Sequence, residues 1–365
     1  MNKNKKGIYI HIPFCQTKCP YCDFYSMRGT DEKKDAYLDA LDKEIFSHEN
    51  IVADTIYLGG GTPSVFGKGR LKKLIENAKN QFNFSDGEIT VEVNPSSCDE
   101  ELIETLKSIG VNRISMGLQS AIDEERKMLG RHSDIEKVKE SIEICQKHGI
   151  ENISLDVMLG VPEQTPESLE KTLGFAVSSG AKHISAYILK IEENTLFYRR
   201  KDTLPLPDED TVCDMYEFAC DYLEKNNFHQ YEISNFSKEN YESRHNLKYW
   251  NSEEYLGLGP AAHSYLNGKR FYHSRNFEEY LKNPTAYIPD GDGGSFSEYA
   301  MLKLRLTKGV SKKEIAEKFC EEKFDELLKK SDRFIKMNLL KYDGENLSFT
   351  KQGFLLSNTI LSEII

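Results

Sequence analysis

Cys15, Cys19 and Cys22 fall close together in HIPFCQTKCPYCDFYS, with the spacing C-x3-C-x2-C. Thiolates are soft ligands that suit iron–sulfur clusters and zinc. Structural zinc usually draws four protein ligands from paired knuckles, and no second cysteine pair lies near. A zinc site completed by His11 and a set of ordinary thiols are the alternatives. A [4Fe–4S] cluster normally takes four cysteines, so three leave one iron free to bind a small molecule. The remaining cysteines, Cys98, Cys145, Cys213, Cys220 and Cys320, are scattered and read as ordinary packing residues.

A second group of residues could hold that small molecule. In Gly59-Gly60-Gly61-Thr62-Pro63 the glycines let backbone approach a ligand closely. The segment is not a P-loop, because Gly67-Lys68-Gly69 lacks the GK[ST] spacing. Glu92, Gln119 and Asp156 offer oxygens that accept hydrogen bonds from hydroxyls or an ammonium group. Arg131 offers a fork of donors for a carboxylate. Taken singly, each also fits a tight turn, a loop salt bridge or an N-cap.

A third group sits in RHNLKYW. The His245 imidazole could ligate heme iron, and Tyr249 and Trp250 could present flat apolar area to a porphyrin. Trp250 is the chain's one tryptophan. An aromatic anchor with a hydrogen-bonded His245 fits the same residues. His263, in GLGPAAHS, and His273 are further candidate imidazoles.

The elements that must position these residues follow one repeated plan. Six short β-forming runs, GIYIHIPF, TIYLGGG, EITVEVNP, RISMGLQS, ISLDVMLG and HISAYIL, alternate with helical stretches. The helices are predicted near 33–48, 70–81, 99–109, 134–148 and 166–179. In the fourth, Ile135, Val138, Ile142 and Cys145 share a face and Gly149 ends the helix. Such alternation implies a parallel sheet. Six units predict an α/β fold built as a partial (β/α)6 TIM-type barrel, with an open doubly wound sheet as the alternative. The cysteine loop, Gly59–Gly61, Glu92, Gln119 and Asp156 then fall at or just beyond C-terminal strand ends, where barrels build active sites.

Beyond residue 190 the plan changes. A helix is predicted over 209–225, then a strand in HQYEISNF, and IPDGDGGS reads as an exposed linker. Helices near 298–306, 312–319 and 324–337 precede LLKYDGENLSFT, a hairpin turning at Asp343-Gly344. Three helices and a hairpin suggest a C-terminal α+β winged-helix-like module, read as a scaffold or partner-docking element. The expected units are 1–195 (barrel), 196–290 (connecting region with His245) and 291–365 (C-terminal module). A net charge of −11 over 365 residues disfavours a general nucleic-acid-binding surface. No apolar stretch approaches the ~20 residues of a membrane helix, so a cytoplasmic location is expected.

The cysteine spacing, with an aromatic before the last cysteine, resembles the signature of the radical S-adenosylmethionine (SAM) superfamily. That resemblance implies a [4Fe–4S] cluster whose open iron chelates the amino and carboxylate groups of SAM, and one-electron cleavage of SAM to a deoxyadenosyl radical. YIHIPFC, GGGTPS, VEVNP, GLQS, LGRH and LDVMLGVPEQT resemble the oxygen-independent coproporphyrinogen III oxidase family and the related HemW heme chaperone family, from about Gly7 to the C-terminus. The resemblance places SAM contacts on Tyr9, Gly60, Gly61, Thr62, Glu92, Gln119, Arg131 and Asp156. The oxidases carry another cysteine two positions after the third, where this chain has Phe24, and a long extension ahead of the cluster, where this chain already has Cys15. Both departures, and the HNxxYW pattern at His245–Trp250, are similar to the chaperones. The implied function is heme binding and transfer to an acceptor hemoprotein, which can be membrane-associated, with an electron donor that the sequence does not name. The alternative is oxidative decarboxylation of coproporphyrinogen III.

Overall fold

A computed structural model describes residues 5–131 and 133–365. Its elements in chain order are β1 (Lys6–Ile12), α1 (Asp31–Ser47), β2 (Ala53–Gly60), α2 (Lys68–Gln81), β3 (Glu88–Val93), α3 (Glu100–Ser108), β4 (Arg113–Gln119), α4 (Asp123–Met128), α5 (Ile135–Lys147), β5 (Asn152–Leu159), α6 (Pro166–Ser178) and β6 (His183–Ile188). There follow α7 (Leu196–Arg199), α8 (Glu209–Lys225), β7 (His229–Gln230), β8 (Asn235–Ser237), α9 (Arg244–Trp250), β9 (Tyr255–Leu258), β10 (His263–Leu266), β11 (Lys269–Tyr272), α10 (Phe277–Lys282) and β12 (Ile288–Asp292). The C-terminal part holds α11 (Phe296–Lys303), β13 (Val310–Ser311), α12 (Lys312–Lys318), α13 (Glu321–Lys336), β14 (Leu340–Tyr342), β15 (Asn346–Phe349), α14 (Lys351–Leu355) and α15 (Ser357–Ile364).

Strands β1 to β6 lie side by side, all parallel, as the partial barrel requires. Their alternation sets the two faces. Ile8, Ile10 and Ile12 of β1, Ile114, Met116 and Leu118 of β4, and Ile153, Leu155 and Val157 of β5 are fully buried. Each such side chain contributes about 1.5–3 kcal/mol by leaving water, and together they fix the register. A one-residue slip would turn them into the lumen. The intervening positions are polar on strand after strand: Tyr57 of β2, Glu92 of β3, Arg113, Ser115 and Gln119 of β4, Asp156 of β5, Ser185 and Tyr187 of β6.

Local signals start the helices where the sequence predicts them. Thr30, Asp99, Asp134 and Asp208 each accept a backbone N–H of the first turn, and Thr165 with Ser168 forms a capping box. The helix predicted at 209–225 forms over those residues.

The sheet does not stop at six strands. β9 adds in parallel beside β1, and β10, β11 and β12 continue it antiparallel. At the other edge β8 and then β7 follow β6. Two readings are corrected here. IPDGDGGS contains β12, an exposed edge strand rather than a linker, because it pairs with β11. HQYEISNF folds back on itself as β7 and β8 instead of running as one strand.

The C-terminal part carries α11, β13, α12, α13, β14 and β15 in the order of a winged helix, with a small antiparallel sheet β13-β15-β14. Isolated pairing of Glu232 with Leu306 ties it to the barrel side. Among the described residues, no helix is long and apolar enough to cross a membrane.

Candidate functional site

A cavity of about 600 Å³ occupies the barrel lumen. Cys15, Cys19, Cys22, Gly60, Gly61, Thr62, Glu92, Gln119, Arg131 and Asp156 all line it. A groove of about 700 Å³ between α3 and α5 is a shallow surface feature, lined mostly by charged residues such as Glu100, Lys137 and Lys147. It brings together no buried functional groups.

The cysteine loop leaves the end of β1 and is pinned along its length. The Cys15 N–H donates to the Met27 carbonyl (3.0 Å), the Met27 N–H to the Pro13 carbonyl (2.7 Å), and the Cys22 N–H to the Cys19 carbonyl (3.1 Å). His11 Nε2 lies 2.8 Å from the Tyr25 carbonyl and its Nδ1 3.0 Å from the Tyr9 hydroxyl. With both nitrogens engaged in hydrogen bonds, His11 supports the loop and has no lone pair free for a zinc ion. The three thiols are half-buried and in no disulfide. Among the described residues, no three His, Cys, Asp or Glu side chains converge as ligands of a single ion would. The three thiols line one mouth of the cavity, and in a cluster each would bind a different iron.

The glycine segment forms a cradle beside this loop. The Gly61 N–H donates to the Ile12 carbonyl (2.9 Å) and the Thr62 N–H to the Phe14 carbonyl (2.8 Å). Gly60 has φ of 106°, a conformation that favours glycine. A methyl group on Gly61 would sit 2.7 Å from the Ile12 carbonyl oxygen. Thr62 Oγ1 is 3.4 Å from Cys15 Sγ, linking cradle and thiols.

Polar groups converge on the space between. Glu92 accepts from the Tyr57 hydroxyl (2.8 Å) and the Gly60 N–H (3.1 Å). Burial raises its pKa to about 7, helped by Asp156. Burial likewise raises Asp156 to about 6, against the pull of Arg131 and Arg113. Gln119, 2% exposed, sits at φ of 67°, where the β4–β5 register shifts, and accepts from Tyr187 (3.0 Å). A non-glycine residue held there stores strain that the surrounding packing must sustain. Arg131 donates through Nη2 to the Tyr21 hydroxyl (2.9 Å), and its Nε is buried without a partner among the described residues. An unspent donor and carboxylates buried away from water suit an amino acid bearing an ammonium and a carboxylate.

Tyr9 is the exception among the expected contacts. It does not line the cavity, and its hydroxyl ends on His11. Asp156 stands in the middle of β5 rather than at its end, so it faces the lumen from lower down. Of the LGRH motif, His132 lies outside the described residues. The sequence reading overlooked Tyr21, Tyr57, Arg113, Ser115, Ser185, Tyr187, Asn235 and Asn246 on the cavity wall. A signal was present: R-x-S-x-G-x-Q in β4 and S-x-Y in β6 put polar residues at every second position of otherwise apolar strands.

His245 lies at the opposite, N-terminal end of the barrel. The helix α9 is held there by the Glu88 carboxylate, which accepts the N–H groups of Arg244 (3.1 Å) and His245 (3.0 Å). The imidazole is 1% exposed. Nδ1 is 2.8 Å from Thr55 Oγ1 and Nε2 2.7 Å from the Tyr249 hydroxyl. Burial, with Lys248 and Arg113 nearby, lowers its pKa to about 3. In this arrangement His245 has no lone pair to offer iron. Tyr249 packs against Tyr255 (ring centroids 4.5 Å), and Trp250 is half-buried. His273 is also committed: its Nε2 lies 2.7 Å from the wholly buried Glu44 carboxylate.

Comparison with known proteins agrees with this geometry. Residues 9–176 match the radical SAM superfamily model and residues 296–356 the HemN C-terminal domain model. The chain is 36% identical to the heme chaperone HemW of Bacillus subtilis, across 99% of both chains. It is 35% identical to the heme chaperone HemW of Lactococcus lactis, across 100% of this chain and 98% of that one. The solved structure of coproporphyrinogen III oxidase (HemN) from Escherichia coli, a radical SAM enzyme, superposes with a TM-score of 0.85 over 99% of this chain and 90% of that one. At 21% identity this last likeness speaks for the fold alone.

Proposed function

Since the chain belongs to the radical SAM superfamily, and within it to the HemW heme chaperone family, we propose that it binds heme and hands it to an acceptor hemoprotein in the cytoplasm. The observation that carries this reading is the full-length correspondence to the chaperones. Cys15, Cys19 and Cys22 would hold the [4Fe–4S] cluster. The Gly60–Thr62 backbone, Glu92, Gln119, Arg131 and Asp156 would hold SAM. Bound there, cluster and SAM supply one-electron chemistry at the barrel mouth.

This chain's own residues orient and enclose. Arg131 supplies a buried donor for a carboxylate, and Glu92 and Asp156 gain a counter-charge when an ammonium arrives. The alternative, oxidative decarboxylation of coproporphyrinogen III, draws on the shared fold. Against it stands Phe24, 68% exposed at the cavity mouth, where the oxidases resembled here carry a further cysteine.

An anaerobic assay separates the two. Reconstituted protein is incubated with SAM, a reductant and coproporphyrinogen III, and the same preparation is then titrated with heme. Saturable heme absorption without porphyrinogen turnover is expected. Protoporphyrinogen formed at enzymatic rates would overturn the chaperone reading.

A further inference from the structure

His263 stands apart from the other described histidines. His11, His183 and His245 have both ring nitrogens engaged. His273, His229 and His148 face carboxylates. His48 makes no side-chain hydrogen bond or ring contact among the described residues either, but it is half-buried where His263 is exposed. The His263 side chain is exposed, and its nitrogens make no hydrogen bond among the described residues.

Its position is nevertheless fixed. It pairs with Tyr272 across the β10–β11 ribbon, and the two rings stack with centroids 5.0 Å apart at 20°. The turn that presents it holds Gly259 at φ of 91° and Ala261 at 65°, the latter a strained conformation for a residue with a side chain. The Ala261 N–H is caught between the carbonyls of His273 and Ser274, both at 3.2 Å. Tyr272 is in register with Ile288, which is 41% exposed on the same face. Partial burial, with Arg270 and Arg275, holds the imidazole below its ordinary pKa against the opposing pull of Asp290, which leaves a neutral nitrogen lone pair.

The ribbon also meets the cysteine loop. Arg275 donates to the Asp23 carbonyl (2.8 Å), with more than half of its side chain in solvent. Beside Asp23 stands the exposed Phe24. An open imidazole, exposed apolar side chains and a guanidinium with spare donors match the parts of heme: iron, an apolar macrocycle edge and propionates.

We propose that His263 is the axial ligand of heme iron on this chain, with Ile288 and Phe24 flanking the macrocycle and Arg275 pairing a propionate. The inference rests on the heme-chaperone reading above. Ligation through a ring nitrogen would use a lone pair in the imidazole plane, which the His263–Tyr272 stack holds in place. Tyr272 therefore acts as a positioning residue that sets the ring plane.

The test uses tag-free, cluster-reconstituted full-length protein titrated anaerobically with hemin. In His263→Ala the Soret band should shift, heme affinity should fall roughly tenfold or more, and the cluster absorption should stay unchanged. Added free imidazole should restore the wild-type spectrum. Arg275→Ala should weaken binding while leaving the Soret position in place. A His263→Ala protein with wild-type spectrum and affinity would overturn the assignment and leave the chaperone reading standing. Failure of the wild-type protein itself to bind heme would overturn both.

Discussion

The two ends of the barrel lumen are made from the same strands, yet they treat their polar groups in opposite ways. At the N-terminal end, Glu88 receives two backbone N–H groups, both nitrogens of His245 are bonded, and Lys248 meets Asp54 at 2.9 Å. At the C-terminal end, Arg131 keeps a buried Nε without a partner among the described residues, burial raises the pKa values of Glu92 and Asp156, and Gln119 is strained. The first end ties most of its polar groups into hydrogen bonds and ion pairs within the fold, which keeps the barrel shut. The second gathers groups that the fold satisfies only in part: Glu92 and Gln119 have protein donors, whereas Arg131 Nε has none among the described residues. RHNLKYW is therefore a floor for the barrel, and the cysteine loop stands at the opposite rim.

Substitutions at the two ends should differ in kind. The largest effect belongs to the rim: Cys19→Ala should abolish the cluster's visible absorption while far-UV circular dichroism is retained, and an unchanged spectrum would remove Cys19 from the ligand set. At the floor, His245→Ala strands the hydroxyls of Thr55 and Tyr249 and opens a hole. Urea unfolding should show a loss of about 4 kcal/mol, with the cluster still able to form. A smaller effect of opposite sign tests the rim again. Glu92 has a native pKa raised from 4.5 to about 7, so its carboxylate costs the fold nothing below pH 4.5. The cost grows between pH 4.5 and 7 and is complete above 7. Glu92→Gln should thus raise the stability of the SAM-free protein at pH 8, relative to its effect at pH 4.5, by about 3 kcal/mol. Equal effects at both pH values would mean that the rim carboxylate is not held protonated.

Much of this was legible in the residues themselves. The thiol spacing, the glycine run and the capped helices are local signals, and helices such as 209–225 need only their own periodicity and an N-cap. What escaped was non-local. β9 to β11 have four residues each, too few for a pattern, and nothing in YLGL announces a partner in β1. His245 shows the same limit: its residue type suits iron, but only the positions of Thr55 and Tyr249 reveal that its nitrogens are occupied. Tyr57 and Arg113 were read as parts of strands because their lumen-facing positions matter only once the sheet curves.

The pairing of β9 with β1 has a consequence for biosynthesis. Gly7 finds Tyr255, and the cysteine loop is tied down by Arg275 on Asp23 and by the Phe277 N–H on Tyr25, bonds that each span 252 positions. Contacts so distant form late, and on the ribosome they must wait for synthesis to pass Phe277. The loop that emerges first is thus among the last to be shaped. Iron–sulfur loading is expected to be a maturation event on a nearly finished chain, and a fragment ending at residue 195 would carry all three cysteines without the braces that hold their loop.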